Sequence, residues 1–257
     1  MFNILFLTDF SDNADMALKY ACDLVEDKDG KITMFTSYTA NKEQDKKSVL
    51  ERLKKYQAKC PDIEMEFLLE EGSTLENIQN CCESSSFNLV VMGFKGVSDD
   101  SESNIGGVTS EVIRRVKQNI LAIPENAAYK PIKKIAYALD FIDFKKETLE
   151  ALNTFAEKLS AEIILLHVSE VEHYIEEEKL QNYRQIKDSV INFDNLNFEF
   201  ITGADVGKAI GDYIDENNMD VLAMLTRDYH LIEKAYEKSL TRKILFHTKK
   251  PLLVFHE

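Results

Sequence analysis

The stretch NILFLTDFSDN, Asn3 to Asn13, decides the fold. Asn3–Thr8 is a short, nearly all-apolar run with no polar alternation, the pattern of a strand buried on both faces of a parallel sheet. DFSDN then breaks the run, and Ser11, Asp12 and Asn13 are candidate helix caps. The next segment, ADMALKYACDLVED, sets Ala17, Ala21, Leu24 and Val25 at helical spacing. Strand, turn, capped helix is the opening of a βαβ unit.

The same alternation continues. KITMFTSY (Lys31–Tyr38) reads as a second strand, and a polar helix follows from about Lys42 to Lys59. IEMEFLLEEG is a third strand ending at Gly72. STLENIQNCCESS is a helix with Ser73 as cap and Glu76 at the capping-box position. NLVVMG (Asn88–Gly93) is a fourth strand, GVTSEVIRRVKQ the last helix, and NILAIP a fifth strand closed by Pro124. The order βαβαβαβαβ predicts a doubly wound, Rossmann-like α/β fold, with a parallel sheet covered by helices on both faces.

The second half repeats the first. KKIAYALDF echoes NILFLTDF, so that Asp9 plus 131 is Asp140, and FEFITGADVGKAI echoes EFLLEEGSTLENI, so that Gly72 plus 131 is Gly203. DVLAMLTRD echoes NLVVMGFKG and KPLLVF echoes QNILAI, both at 132. A register held this far argues for tandem duplication. We expect two domains, residues 1–125 and 132–257, joined by ENAAYKPIK (Glu125–Lys133). The length of 257 residues suits two such domains.

Composition narrows the function. A net charge of −14 argues against sequence-independent nucleic-acid binding, which phosphate neutralisation drives. No apolar run approaches the length of a membrane span, and the N-terminal run lacks the basic flank of a signal peptide. Cys22, Cys60, Cys81 and Cys82 have no framework spacing, which predicts a reduced, cytoplasmic protein. The five histidines have no metal-ligand spacing, and His167 reads as a core histidine. Cys81 and Cys82 read as inert structural thiols.

Ligands in open α/β sheets sit at the carboxyl ends of the strands, where the strand order reverses. That directs attention to Asp9 and to MGFKGVSDDSESNIGG, Met92–Gly107. Gly93 and Gly96 would let backbone approach a ligand. Gly106 and Gly107 stand where the last helix begins and offers unpaired N–H groups to an anion. Thr109 and Ser110 add hydroxyls to its first turn. The spacing is neither a Walker A loop nor the Rossmann GxGxxG.

Gly93, two residues, Gly96, nine residues, Gly106 is the glycine spacing of nucleotide-binding universal stress proteins, and with LTDFS (Leu7–Ser11), VVMG and GGVTSEVIRRVKQNILAIP the chain resembles a tandem member of that family. The resemblance implies an adenine-nucleotide-binding α/β fold with a role in stress survival. It implies ATP or a relative as ligand, with Mg²⁺ as companion ion. On this resemblance Asp9 bonds the ribose or adenine, Leu7 and Ser37 border the base, and Met92 lines the pocket. Gly93, Gly96, Gly106, Gly107, Val108 and Thr109 surround ribose and phosphates. It also implies face-to-face pairing of the two domains through NILAIP and KPLLVF, or a homodimer.

Two departures stand out. Gly107 replaces the family's Ser or Thr, and Asp99, Asp100 and Glu102 make the loop acidic against Lys95 alone. In the second half Leu225, Asp228, Lys238 and Ser239 replace Gly93, Gly96, Gly106 and Gly107. Leucine and aspartate where backbone must meet phosphate predict no ATP site there. The chain reads as a binding module, with a nucleotide-free scaffold as the alternative. No general base or cationic clamp is evident beyond Arg114 and Arg115, so hydrolysis would be slow at most.

Overall fold

The computed structural model describes residues 2–25, 30–38, 43–94, 107–125, 127–139, 141, 145–169, 177–190, 193–226 and 248–256. The chain divides into two compact units, one built on Met1–Tyr129 and the other on Lys130–Thr226 with Lys250–Phe255.

The first unit runs β1 (Phe2–Leu7), α1 (Asp12–Asp23), β2 (Gly30–Tyr38), α2 (Glu43–Gln57), β3 (Met65–Glu71), α3 (Thr74–Ser84), β4 (Leu89–Phe94), α4 (Val108–Arg115) and β5 (Ile120–Pro124). The strands lie in the order β3-β2-β1-β4-β5, with every neighbouring pair parallel. This is the doubly wound parallel α/β fold that the sequence pattern implies. Ile4, Leu5, Phe6, Val90, Val91, Ile120 and Leu121 are fully buried, which is why these strands are written as apolar runs.

Sheet growth proceeds outward from β1 through β2 to β3, then returns to β4 on the other side of β1. Right-handed crossovers then set α1 and α2 on one face and α3 and α4 on the other. The packing agrees: α3 rests on α4, α1 on β4, and α2 on β2 and β3. The reversal leaves a crevice at the carboxyl ends of β1 and β4.

The second unit runs β6 (Lys134–Ala138), α5 (Lys146–Leu159), β7 (Glu162–Ser169), α6 (Glu177–Ser189), β8 (Leu196–Thr202), α7 (Val206–Glu216), β9 (Val221–Thr226) and β10 (Leu252–His256). Its strand order is β10-β9-β6-β7-β8. The duplication extends to single hydrogen bonds. Leu7 pairs with Phe35 as Ala138 pairs with Leu166, and Thr36 with Leu69 as His167 with Phe200, each shifted by 131. Gly72 N–H donates to Tyr38 O (3.0 Å) and Gly203 N–H to Ser169 O (2.9 Å).

Two local expectations are corrected. Ser73 precedes α3 as expected, but its side chain makes no capping hydrogen bond, so the Ser73–Glu76 capping box does not form. Gly72 turns the chain at φ +107°, and the Asn77 side-chain amide holds the turn through Glu71 O at 3.0 Å. The four cysteines are not all reduced: Cys22 and Cys60 form a disulfide with Cα atoms 6.8 Å apart. The fold brings the end of α1 against the turn after α2, a proximity invisible in a sequence separation of 38. Cys81 and Cys82 are free and buried. Burial raises both thiols, Cys82 to about 12, which leaves them protonated and unreactive.

Candidate functional site

The turn after β1 is built by its own side chains. Thr8 Oγ1 accepts the Phe10 N–H (3.0 Å), Asp9 Oδ1 accepts the Ser11 N–H (3.0 Å), and Ser11 Oγ accepts the Ala14 N–H (3.2 Å). Ser11 is thus the N-cap of α1. Phe10 takes a left-handed backbone conformation, φ +63°, which a residue with a side chain adopts at a cost of roughly 1–2 kcal/mol.

Above this turn lies a cavity of about 560 Å³. Its floor is the strand ends: Leu7, Thr8 and Asp9 from β1 and its turn, Phe35 to Tyr38 from β2, and Met92 and Gly93 from β4. One wall is α2, through Val49 and Arg52; another is α3 and α4, through Thr74, Ile78, Val108 and Thr109. Leu7, Asp9, Ser37, Met92, Gly93, Val108 and Thr109, all singled out in the sequence, therefore meet around one space. Gly107, the N-cap of α4, adjoins it through Val108. Gly96, Gly106 and the acids Asp99, Asp100 and Glu102 lie outside the described residues.

The floor carries an orphan polar group. Ser37 Oγ is buried with no hydrogen-bond partner among the described residues. Such a hydroxyl costs about 1–3 kcal/mol unless something bonds it.

The glycines divide by cause. A Cβ at Gly93 would lie 2.8 Å from Asn13 Nδ2 and 3.0 Å from the Asn13 carbonyl carbon. Packing of α1 therefore demands glycine there, whatever the cavity holds. A Cβ at Gly107 would meet nothing within 4 Å, so nothing in the described fold demands that glycine.

Arg52 was not legible as a site residue, because it stands on a polar helix with no motif. Its guanidinium sits 4.1 Å from the centre of the Phe10 ring, whose edge packs on Tyr56 at 5.5 Å. Arg114 and Arg115 are committed elsewhere: both pair with Glu111, at 2.6 and 2.7 Å.

In the second unit rings stand at the positions of Thr36, Arg52 and Leu69, and Phe141 keeps the ring of Phe10. His167, at the position of Thr36, stacks on Phe141 with centroids 4.4 Å apart, and Phe200 and Tyr183 pack on Phe141 at 5.8 and 5.5 Å. His167 is buried, and its Nδ1 bonds Leu139 O at 3.0 Å, a satisfied core histidine. Asp140, Asp228, Lys238 and Ser239 lie outside the described residues, as do His173, His230 and His247. Among the described residues no three His, Cys, Asp or Glu side chains cluster as metal ligands, and no helix is long and apolar enough to cross a membrane.

Solved structures share this architecture. A universal stress protein from Archaeoglobus fulgidus DSM 4304 superimposes with a TM-score of 0.78 at 18% identity, over 99% of this chain and 98% of its own. A functionally unknown protein from Pseudomonas aeruginosa PAO1 does so at 0.68 and 14% identity, over 99% and 92%. The cytoplasmic domain of a prokaryotic cation chloride cotransporter gives 0.61 at 11%, over 98% and 94%. At such identities these likenesses speak for the fold. No curated protein matches the sequence. The model of the Universal stress protein family matches residues 1–124, which span all of β1 to β5 and the three strand ends of the cavity floor. The chain is a tandem α/β protein whose first domain belongs to the universal stress protein family.

Proposed function

We propose that the first unit binds an adenine nucleotide, ATP or a relative, in the cavity at the ends of β1 and β4, and that the chain acts as a ligand-responsive module in a stress response. The observation that carries this reading is the gathering of Asp9, Ser37, Met92, Gly93 and Thr109 around one 560 Å³ space at the switch point. That volume falls in the range of small-molecule sites. Asp9 supplies a carboxylate for ribose hydroxyls. The N–H groups at the start of α4 face an anion favourably. Mg²⁺ belongs to this proposal as the counter-ion of the phosphates. The domain bounds we adopt are 1–125 and 132–257, with ATP binding confined to the first.

Binding, and not turnover, is the activity proposed. Arg114 and Arg115 are held by Glu111, so neither serves as a phosphate clamp. We assign the protein to the cytoplasm, where the Cys22–Cys60 bond is open to cellular thiols.

Calorimetry with ATP and Mg²⁺ on the full chain tests the proposal. Micromolar affinity, about 8 kcal/mol, with one site per chain is expected. Gly107→Glu puts a carboxylate into open space at a helix N-terminus, where the fold tolerates it and a phosphate does not. Heat absent at millimolar ATP in the parent protein would favour a nucleotide-free scaffold.

A further inference from the structure

Arg52 is an exposed cation on the cavity wall with no carboxylate partner among the described residues, in a chain with 45 acidic against 31 basic side chains. It lies over the face of Phe10, 4.1 Å from the ring centre. Phe10 is itself displayed by a left-handed backbone and braced by the Tyr56 ring. Strain of this kind, held in place by its surroundings, gathers at functional sites. Guanidinium is flat, delocalised and weakly hydrated, so a plane stacked on one side still offers a second face and its in-plane N–H donors.

The walls assign the ends of a nucleotide. The anion-attracting start of α4, with Gly107 and Thr109, lies on one face of the sheet, and α2 lies on the other. Phosphates at α4 place the base across the crevice, over the ends of β1 and β2 and beside Val49 and Arg52. Resting on the proposed reading of the cavity, we infer that Arg52 is a base-binding residue of the first unit, stacking its guanidinium between Phe10 and the purine base. The base is then held by a planar cation from α2, a helix to which the glycine motif does not extend.

The test is competition calorimetry of the full chain with adenosine, AMP and ATP. Arg52→Ala is expected to weaken all three by the same factor, roughly tenfold. Arg52→Lys keeps the charge, loses the plane, and is expected to recover little. Phe10→Leu keeps an apolar side chain and should weaken all three in parallel, because it removes the platform. Thermal unfolding of the Arg52 variants should stay unchanged, since that side chain is exposed. An Arg52→Ala loss that grows with phosphate number and is rescued by lysine would overturn the inference in favour of a phosphate contact. Unchanged affinities would also overturn it. Absence of binding in the parent protein would remove the nucleotide reading itself, a result the parent titration distinguishes from failure of the arginine alone.

Discussion

The Asn13 side-chain amide donates to the carbonyl oxygen of Phe94 at 2.8 Å, a buried hydrogen bond that ties the first turn of α1 to the end of β4. The same amide fills the space a side chain at residue 93 would need. Asn13→Ala strands the Phe94 carbonyl and should cost about 1–3 kcal/mol. Gly93→Ala overpacks the same contact and should cost about 1–3 kcal/mol. Urea unfolding of both single variants and the double variant is the measurement. The double variant should lose less than the sum, because the first change makes room for the second; strict additivity would contradict the shared contact.

Gly107 is the cleaner place to probe the ligand. Its backbone is extended at φ −63°, it caps α4 without a side-chain hydrogen bond, and its surroundings are open. Gly107→Ser should stabilise the protein by a few tenths of a kcal/mol, through a hydroxyl on the first-turn N–H groups. It should also tighten ATP binding, and unfolding and calorimetry together separate the two effects. Weaker ATP binding with a raised midpoint would mean that the phosphates do not lie at this helix.

The Cys22–Cys60 bond closes a loop of sequence separation 38, for which chain entropy gives roughly 4 kcal/mol. Native strain and residual structure reduce such values, so Cys60→Ser should cost about 2–4 kcal/mol. A thiol reductant should lower the parent protein to the level of the variant and leave the variant unmoved. The Lys59–Asp15 ion pair at 2.6 Å spans the same two elements and does not depend on the covalent bond.

Glu111 supplies an acid limb to stability. Burial pushes its carboxyl up, but the hydrogen bond and charge of Arg114, with Arg115, outweigh this and hold it below the ordinary 4.5. A carboxylate depressed in the folded state stabilises fully above its unfolded value and loses that contribution as pH falls through the folded one. The stability of the first unit should therefore decline below about pH 4.5, and Glu111→Gln should flatten that decline. Unfolding midpoints between pH 3 and pH 7 give the comparison. A parallel decline in the variant would assign the acid limb to other groups.

The doubly wound fold was legible because a strand buried on both faces has no polar alternation to hide it. NILFLT, NLVVMG and NILAIP became β1, β4 and β5 for that reason. The repeat at 131 was legible because both copies keep strand starts and turn glycines such as Gly72 and Gly203. Much of the cavity floor followed from strand ends alone. The α2 wall did not: Val49 and Arg52 sit on a helix whose sequence is mostly charged, and only the crossover direction brings that helix over the crevice. The reason for Gly93 was also hidden, since glycine for packing and glycine for a ligand look alike in a sequence. The Cys22–Cys60 pairing depended on where two helix ends meet, which no spacing rule encodes.

The packed rings of Phe141, His167, Tyr183 and Phe200 are supplied by the second unit's own sequence. A protein that binds a metabolite only when folded grows more stable as the metabolite accumulates. On the proposed reading, the first unit, with its open crevice, should melt at a higher temperature as its nucleotide accumulates, and its melting point would then serve as a gauge of that nucleotide's concentration.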